Sequence, residues 1–220
     1  CQHLGFGPPI LHCHDWHAAF GPLLLRALYS WDQLFAHTRS ALTIHNIGYQ
    51  GEFPAAAVAD LDLGDNAYLL HQDDLRGGRI NALKHGCMYA DAVTTVSPTY
   101  AAEIRTPEYG MGLQDVLRSR DTALVGILNG VDYDAWDPRS DRHLDSHYDS
   151  TRLTVKAGLK QRFLTRSGLQ AGPGTAPAGM VTRLVTQKGI ELVVAALPRL
   201  LATRDLAMVA LGAGEPRYEQ

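Results

Sequence analysis

The amino-acid sequence predicts a parallel α/β fold built from two Rossmann-like halves. Short apolar runs, which are typical of buried strands, alternate with longer amphipathic stretches along the whole chain. A polar segment at 136–152, rich in Asp, Arg and His, separates two series of these elements. Because alternating strands and helices form parallel sheets with right-handed crossovers, we expect one such sheet in each half.

The first half begins with a strand at 10–14, and Asp15 can cap a helix that runs from Trp16 to about Tyr29. A second strand at 41–45 ends in a histidine. Open α/β sheets bind ligands at the carboxyl ends of their strands, so polar residues at these ends are candidates for a site. The elements predicted next are a loop or short helices at 54–78, a helix at 81–90, a strand at 92–96, a helix beginning at Ser97-Pro98, and a strand at 123–128.

The second half repeats the alternation after the polar segment. We place the boundary so that residues 1–125 form the first domain and residues 126–220 the second. The elements predicted after the polar segment are a helix at 153–167, a strand at 178–183, a helix from Gly189 to Ala202, and a strand at 206–211 that ends in Gly212 and Gly214.

Composition indicates a globular protein and excludes two kinds of partner. The chain has 20 basic and 23 acidic residues, a formal charge of −3, so we expect no nucleic-acid binding. No apolar run approaches the roughly 20 residues that a membrane crossing requires, so we expect no membrane insertion. The three cysteines, Cys1, Cys13 and Cys87, are odd in number and scattered, which favours reduced thiols in a cytoplasmic protein.

Residues 180–193 (MVTRLVTQKGIELV) predict an anion site. They read as the end of a strand, a loop with Arg183 and Lys188, and a helix that Gly189 opens. The free N–H groups and the positive dipole end of a helix N-terminus favour an anion. A guanidinium, which binds phosphate with two hydrogen bonds, and a mobile ammonium make a diphosphate the expected ligand. The alternative is a solvated loop with two surface cations.

The same residues resemble the R-x-x-x-Q-K-G phosphate loop of bacterial glycogen synthases and plant starch synthases, glucosyltransferases that use ADP-glucose. Five further blocks resemble this family in its order and with similar spacing. They are LHCHDWHAA (11–19), TIHNIGYQGEF (43–53), MYADAVTTVSPTYAAEI (88–104), ILNGVDYDAWDP (127–138) and MVALGAGEP (208–216). The resemblance therefore extends over nearly the whole chain.

The resemblance implies a GT-B fold of two Rossmann-like parallel-sheet domains, both incomplete here. Residues 1–125 would be the later part of the acceptor-side domain, and residues 126–220 the earlier part of the nucleotide-sugar donor domain. The implied reaction transfers glucose from ADP-glucose to the nonreducing end of an α-1,4-glucan such as glycogen, with retention at the anomeric carbon. Enzymes of this kind need no metal, so we expect neither a metal nor a cofactor.

Two motifs of the family have no counterpart in the sequence. A K-x-G-G-L loop that closes over the donor would lie before Cys1, and an E-P-C-G-L block near the donor glucose would lie after Gln220. We therefore expect residues 1–220 alone to be inactive and a longer parent polypeptide to be active.

The resemblance also assigns roles at the cleft. His45 would lie near the transferred glucose, where its carbonyl or ring would stabilise developing positive charge. A histidine that closes an apolar strand is otherwise most often a core residue. Asp15, Trp16 and His17 would line the cleft near the donor sugar and the acceptor, with helix-start packing as the alternative for the indole.

Two asparagines and two glycines complete the candidates. Asn46 would lie at the same cleft, or is only a turn residue. Asn129 resembles the family's N-G-[VI]-D element, where an amide can donate to and accept from sugar hydroxyls, and its alternative is a left-handed turn. Gly212 and Gly214 allow close backbone approach to a nucleotide, although a tight turn explains them equally well.

His12, His14 and His17 permit a different interpretation, a zinc site. Two histidines at i and i+2 share a face of a strand, and a third completes the ligand set of a catalytic zinc. The order H-x-H-D-x-H departs from the H-x-H-x-D-H of metallo-β-lactamase-fold hydrolases, which argues against a hydrolase. Two further alternatives are another GT-B transferase with a different sugar nucleotide and a nonenzymatic glucan-binding protein.

Overall fold

The computed structural model describes residues 1–120, 123–169 and 171–219. The chain forms two compact units, Cys1–Gly130 and Val131–Gln220. The two units divide after Gly130, whereas the sequence predicted a boundary between residues 125 and 126. The observed division comes later because the strand Leu124–Gly126 pairs with a strand of the first unit. No helix in the described part of the chain has both the length and the apolar composition needed to cross a membrane.

The first unit contains a four-stranded parallel sheet, a two-stranded antiparallel sheet and seven short helices among its described residues. Its elements are β1 (Ile10–His14), α1 (Asp15–Ala18), α2 (Gly21–Leu28), β2 (Arg39–Ile44), β3 (Glu52–Pro54), α3 (Ala57–Asp60), α4 (Gln72–Arg76), β4 (Arg79–Asn81), α5 (Ala82–Tyr89), β5 (Ala92–Thr95), α6 (Pro98–Glu103), α7 (Gln114–Ser119) and β6 (Leu124–Gly126). Single 3₁₀ turns cover Gln2–Leu4, Gln33–Phe35 and Ala67–Leu69.

The four-stranded sheet has the order β1-β2-β5-β6. Cys13, Leu42, Val93 and Leu124 are in register across the four strands and are all buried. They form one apolar row, against which α1, α2 and α5 pack. Each strand contributes a side chain to the same face, so the register fixes which side of the sheet holds the core.

The helix predicted from Trp16 to Tyr29 is wrong in two respects. It is broken into α1 and α2, because Gly21 and Pro22 begin a new helix: proline favours a first turn and disrupts a helix interior. Asp15 does not cap it either. The N-cap is His14, and no side chain caps α1.

The two-stranded sheet of β3 and β4 was not predicted, nor was α7. β3 and β4 are antiparallel and pair Phe53 with Ile80. Their residues are too few to give a periodic signal, and the pairing brings together segments that the sequence separates by a region predicted to be irregular. The other predicted elements of this half occur within a few residues of their expected bounds.

The second unit begins with an irregular segment that includes 136–152, as expected of the polar linker. Its elements are α8 (Val155–Arg166), β7 (Ala176–Val181), a 3₁₀ turn (Thr186–Lys188), α9 (Ile190–Thr203), β8 (Leu206–Leu211) and a 3₁₀ turn (Pro216–Tyr218). β7 and β8 are parallel and pair from Ala176↔Leu206 to Val181↔Leu211. The βαβ arrangement predicted for this half is therefore confirmed.

Candidate functional site

The carboxyl ends of β1 and β2 lie side by side and bring Asp15 to His45 and Asn46. Oδ1 of Asp15 accepts hydrogen bonds from the backbone N–H of His45 at 2.7 Å and from that of Asn46 at 3.3 Å. Asp15 adopts a left-handed backbone with φ 51°, a conformation that is uncommon for residues other than glycine. This carboxylate thus fixes the loop that carries the histidine.

Three imidazoles lie next to one another near the carboxyl ends of β1 and β2, those of His12, His14 and His45. The ring centroids of His12 and His14 are 4.2 Å apart, and those of His14 and His45 are 5.3 Å apart. Nδ1 of His14 lies 3.0 Å from Nε2 of His45, so one of these nitrogens donates and the other accepts. The pKa of His12 is lowered, mainly by desolvation and to a smaller extent by the neighbouring His14 and His45. Nε2 of His12 also forms a hydrogen bond with Oγ1 of Thr43 at 2.7 Å.

Trp16 and His17, in α1 directly after β1, form a stacked pair with ring centroids 4.0 Å apart. The indole also contacts the ring of Phe53, with centroids 5.8 Å apart, and lies close to the backbone of Gly51. Gly51 has φ +64°, and a Cβ there would lie 2.5 Å from Cε3 of Trp16. The glycine is therefore required both by its backbone conformation and by the indole.

An open cavity of about 540 Å³ lies against this indole, within the first unit. Its walls include Trp16, the loop of residues 48–53, and Met111. Tyr49 is 48% exposed. Nε2 of Gln50 donates to the carbonyl oxygen of Met111 at 2.9 Å and thereby joins the two walls. Aromatic and polar groups together are the surface that a sugar ring requires.

Asn46 and Asn129 differ in their surroundings. Oδ1 of Asn46 accepts the N–H of Gly48 at 2.9 Å, as expected of a turn residue, and its place at the cleft stays a prediction. Asn129 is exposed and follows the end of β6. Its predicted alternative, a left-handed turn, is wrong. Among the described non-glycine residues, positive φ occurs only at Asp15, Asp62 and Met111.

The predicted phosphate loop is a compact turn between β7 and α9. The N–H of Val185 donates to the carbonyl of Arg183 at 3.0 Å, and the N–H of Lys188 donates to that of Val185 at 2.9 Å. Gly189 adopts φ 69° as the N-cap of α9, and no side chain caps this helix. Both cationic side chains are exposed, and neither has an ion pair or side-chain hydrogen bond within the described ranges. Two unneutralised cations therefore lie beside a helix N-terminus that has no side-chain cap.

Arg217 and Tyr218 hold this loop, although the sequence did not point to either residue. An N–H of Arg217 donates to Oγ1 of Thr186 at 2.6 Å, and the hydroxyl of Tyr218 lies 3.0 Å from the same oxygen. The Tyr218 hydroxyl also donates to Glu191 in the first turn of α9. The residues lie about thirty positions apart in sequence, so no local pattern connects them.

Gly212 and Gly214 lie against backbone. A Cβ on Gly212 would be 2.0 Å from the carbonyl oxygen of Thr182, and one on Gly214 would be 2.2 Å from that of Leu184. Neither residue has a positive φ. Close packing against residues 182–184, which carry the arginine of the phosphate loop, therefore requires both glycines.

The histidines of the zinc interpretation divide into two groups. His12 and His14 contact each other and His45, whereas His17 stacks on Trp16. Among the residues that the structure describes, no three His, Cys, Asp or Glu side chains are grouped so that they could hold a metal ion. The three-histidine ligand set therefore does not form in this structure.

The most informative residues that were not predicted are Tyr49, Gln50, Phe53 and Met111. Tyr49, Gln50 and Phe53 lie in a sequence block quoted above and Met111 lies between two such blocks, but none of the four side chains is charged at neutral pH. Only the cavity shows that they line a common surface with Trp16.

Comparison with known proteins defines the class to which this fold and site belong. Residues 1–119 match the sequence model of the starch synthase catalytic domain. The chain belongs to this family. The predicted α/β fold of the GT-B type, with Rossmann-like parallel sheets, is confirmed by this match together with the structural match below.

The individual relatives are glycogen and starch synthases. The chain is 46% identical over 217 residues to a glycogen synthase of Anaeromyxobacter dehalogenans (strain 2CP-1), covering 99% of this chain and 45% of that protein. It is 42% identical over 218 residues to a glycogen synthase of Thermotoga maritima, covering 99% and 44%. The solved catalytic domain of starch synthase IV from Arabidopsis thaliana, bound to ADP and acarbose, is 35% identical with a TM-score of 0.88, covering 99% and 45%. The chain thus spans just under half the length of these proteins.

Proposed function

We propose that the protein containing this chain transfers glucose from ADP-glucose to the nonreducing end of an α-1,4-glucan such as glycogen, with retention at the anomeric carbon. The observation that carries this proposal is the match of 99% of the chain to a starch synthase catalytic domain whose structure holds ADP. ADP is the leaving group of the proposed reaction. Residues 1–125 would serve the acceptor and residues 126–220 the donor.

Arg183, Lys188 and Gly189 would bind the donor diphosphate. The two cations lack internal partners in the described chain, so their charges are available to a ligand. The N–H groups at the start of α9 add the positive end of a helix dipole. As the bond to the sugar breaks, negative charge accumulates on the phosphate oxygens, and these preorganised groups would stabilise it by several kcal/mol. Gly212 and Gly214, which pack against the backbone of residues 182–184, would support this loop and lie near the nucleotide.

The wall formed by Trp16, Tyr49 and Phe53 would bind the glucan. The open cavity beside the indole offers aromatic faces to sugar rings and polar edges to their hydroxyls. His17, stacked on Trp16, would orient the indole. The amide of Asn129, exposed after β6, would bond sugar hydroxyls.

His45 would act on the transferred glucose. Asp15 holds the backbone of His45 and of Asn46, so the carboxylate would set the position of the histidine carbonyl and ring. A fixed carbonyl or imidazole near the anomeric carbon would stabilise the positive charge that develops there. In a front-face reaction the departing diphosphate accepts the proton of the attacking glucan hydroxyl, which requires no second carboxylate.

The chemistry proposed for these residues requires neither a metal nor a cofactor. The protein's partners would be the sugar nucleotide and the glucan. We place the reaction in the cytoplasm, because the three cysteines are free and scattered.

The test is a glucan extension assay on the polypeptide that contains residues 1–220. With ADP-glucose and maltotetraose we expect release of ADP and a product longer by one α-linked glucose, without added metal and in the presence of a chelator. UDP-glucose in place of ADP-glucose distinguishes a related transferase with another donor. Failure to release ADP from ADP-glucose contradicts the proposal.

Single substitutions test the donor loop. Arg183→Ala and Lys188→Ala should each lower kcat/KM at least about a hundredfold, since each removes a group that stabilises the leaving diphosphate. Arg199→Ala is the matched control, because Arg199 is an exposed arginine of α9 outside the loop. Equal loss in the control and in the loop variants would assign the effect to folding.

A further inference from the structure

A second cavity, of about 350 Å³, lies within the second unit over one face of α8. Lys156, Leu159, Lys160 and Phe163 share this face because their spacing is i, i+3, i+4 and i+7. The segment 143–148, part of the irregular region before the helix, forms the opposite wall. The volume is within the range of small-molecule sites, and nothing proposed above for the reaction uses it.

Positive charge dominates the lining. Four cationic side chains, those of Lys156, Lys160, Arg162 and Arg166, face a single carboxylate, that of Asp145. The whole chain carries a formal charge of −3, so this excess is local. A concave surface with one sign of charge concentrates ligands of the opposite sign.

The single carboxylate does not neutralise the two arginines. Oδ2 of Asp145 lies 3.5 Å from Nε of Arg162 and 3.7 Å from an NH of Arg166. One further N–H of Arg162 donates to Oγ of Ser146 at 2.9 Å. Each guanidinium has five N–H donors, so both retain donors for a ligand. Asp145 holds the two groups in place and cancels only one of their charges.

Neutral groups surround the two lysines. The ammonium of Lys160 donates to the carbonyl oxygens of Pro173 at 2.6 Å and of Thr175 at 3.0 Å. That of Lys156 lies 5.2 Å from the ring centroid of Tyr148, a cation–π contact. Carbonyls and an aromatic ring orient an ammonium without cancelling its charge, so both lysines keep their positive charge and add to the local excess.

The remaining wall is apolar. Phe163 is 47% exposed although it lies on the cavity face of α8, with Leu159 one turn before it. We propose that this cavity binds a small phosphorylated compound, whose phosphate meets Arg162 and Arg166, the pair that Asp145 brings together, and whose ring packs on Phe163. A bare inorganic anion would leave the aromatic wall unused, and a neutral sugar would leave the charges unused.

Titrations of the protein with glucose 1-phosphate, AMP and glucose test this proposal. Isothermal calorimetry gives the affinity, and amide chemical shifts locate the site. We expect at least one phosphorylated probe to shift the amides of 143–148 and α8, and affinity to fall as NaCl rises, because salt screens the charges. The two phosphorylated probes separate a sugar phosphate from a nucleotide as the source.

Variants separate this cavity from the donor loop. Arg162→Ala with Arg166→Ala should weaken binding at least about tenfold, since each group supplies a charge-assisted hydrogen bond and both side chains are exposed. Arg199→Ala with Arg204→Ala removes the same charge from another exposed surface and should not change the affinity. Arg183→Ala should not change it either.

Three results would overturn the proposal. They are absence of shifts at 143–148 and α8 with both phosphorylated probes, equal binding of glucose, and unchanged affinity in the Arg162→Ala/Arg166→Ala variant. None depends on transferase activity, so failure here is distinct from failure of the proposed function.

Discussion

Gly51→Ala is the substitution whose effect the structure defines most sharply. Gly51 combines a left-handed backbone, φ +64°, with contact to the Trp16 indole. An added Cβ would lie 2.5 Å from Cε3, 2.9 Å from Cδ2 and 3.1 Å from Cβ of that residue. The ring cannot accommodate this in place, because it packs on His17 and Phe53. The substitution must therefore move the loop or displace the indole.

Gly78→Ala is the matched control. Gly78 has φ +77° in the same unit, and a Cβ added there would meet no atom within 4 Å beyond its chain neighbours. Both variants carry the strain of alanine in the left-handed region, about 1 kcal/mol. Only Gly51→Ala adds overpacking, which costs about 1–3 kcal/mol. We expect losses in unfolding free energy of about 1 kcal/mol for Gly78→Ala and about 3 kcal/mol for Gly51→Ala.

Urea denaturation followed by far-ultraviolet circular dichroism measures both values, and maltotetraose titration measures the consequence for the site. If the indole forms the glucan wall, Gly51→Ala weakens glucan binding whereas Gly78→Ala leaves it unchanged. Equal destabilisation by the two variants would refute the steric reasoning. Normal glucan affinity in a destabilised Gly51→Ala would instead place the glucan elsewhere.

Three further predictions concern the first unit. Asp74→Asn should lower the unfolding free energy, measured by urea denaturation, by about 3 kcal/mol. Nζ of Lys84 bonds Oδ2 of Asp74 at 2.6 Å, the two side chains are only 13% and 7% exposed, and the substitution leaves the ammonium without its counter-charge. A loss below about 1 kcal/mol contradicts this. Desolvation by burial lowers the pKa of His85 below 6.5, so the neutral imidazole stabilises the fold above pH 6.5, and this contribution is lost as the pH falls through the folded-state pKa. The difference in unfolding free energy between wild type and His85→Gln should therefore shrink from pH 7 to pH 5. A constant difference contradicts a neutral, buried His85. Tyr49→Ala should weaken maltotetraose binding about fivefold with unchanged stability, since the ring is half exposed; an unchanged affinity removes Tyr49 from the glucan wall.

The His85 prediction rests on a defined tautomer. The carbonyl of Asn81 can only accept, so Nδ1 of His85 donates to it at 2.7 Å. The N–H of His71 donates to Nε2 at 2.9 Å. The imidazole is therefore neutral in the folded protein, and protonation at Nε2 would break the second bond.

Local patterns were sufficient for much of the fold. The apolar runs at 10–14 and 206–211 are strands with the predicted bounds, because a buried strand leaves a continuous apolar signature. Ser97 caps α6 by accepting the N–H of Tyr100, as the Ser-Pro pair predicts. The helix after Asp15 was predicted less well, since Gly21 and Pro22 begin a new helix within a stretch whose amphipathic pattern is continuous.

Sequence alone also indicated the family and the candidate residues. Short blocks such as R-x-x-x-Q-K-G match the family in both residue type and spacing, and such a match can be seen without a structure. The tertiary structure decided what those residues contact. Asp15 was expected to cap its own helix, yet its carboxylate bonds backbone N–H groups thirty residues away, and Met111 joins Gln50 across sixty-one. Such contacts depend on strand register and loop closure, which are set by the burial of the whole core and leave no periodic trace in the segments that meet.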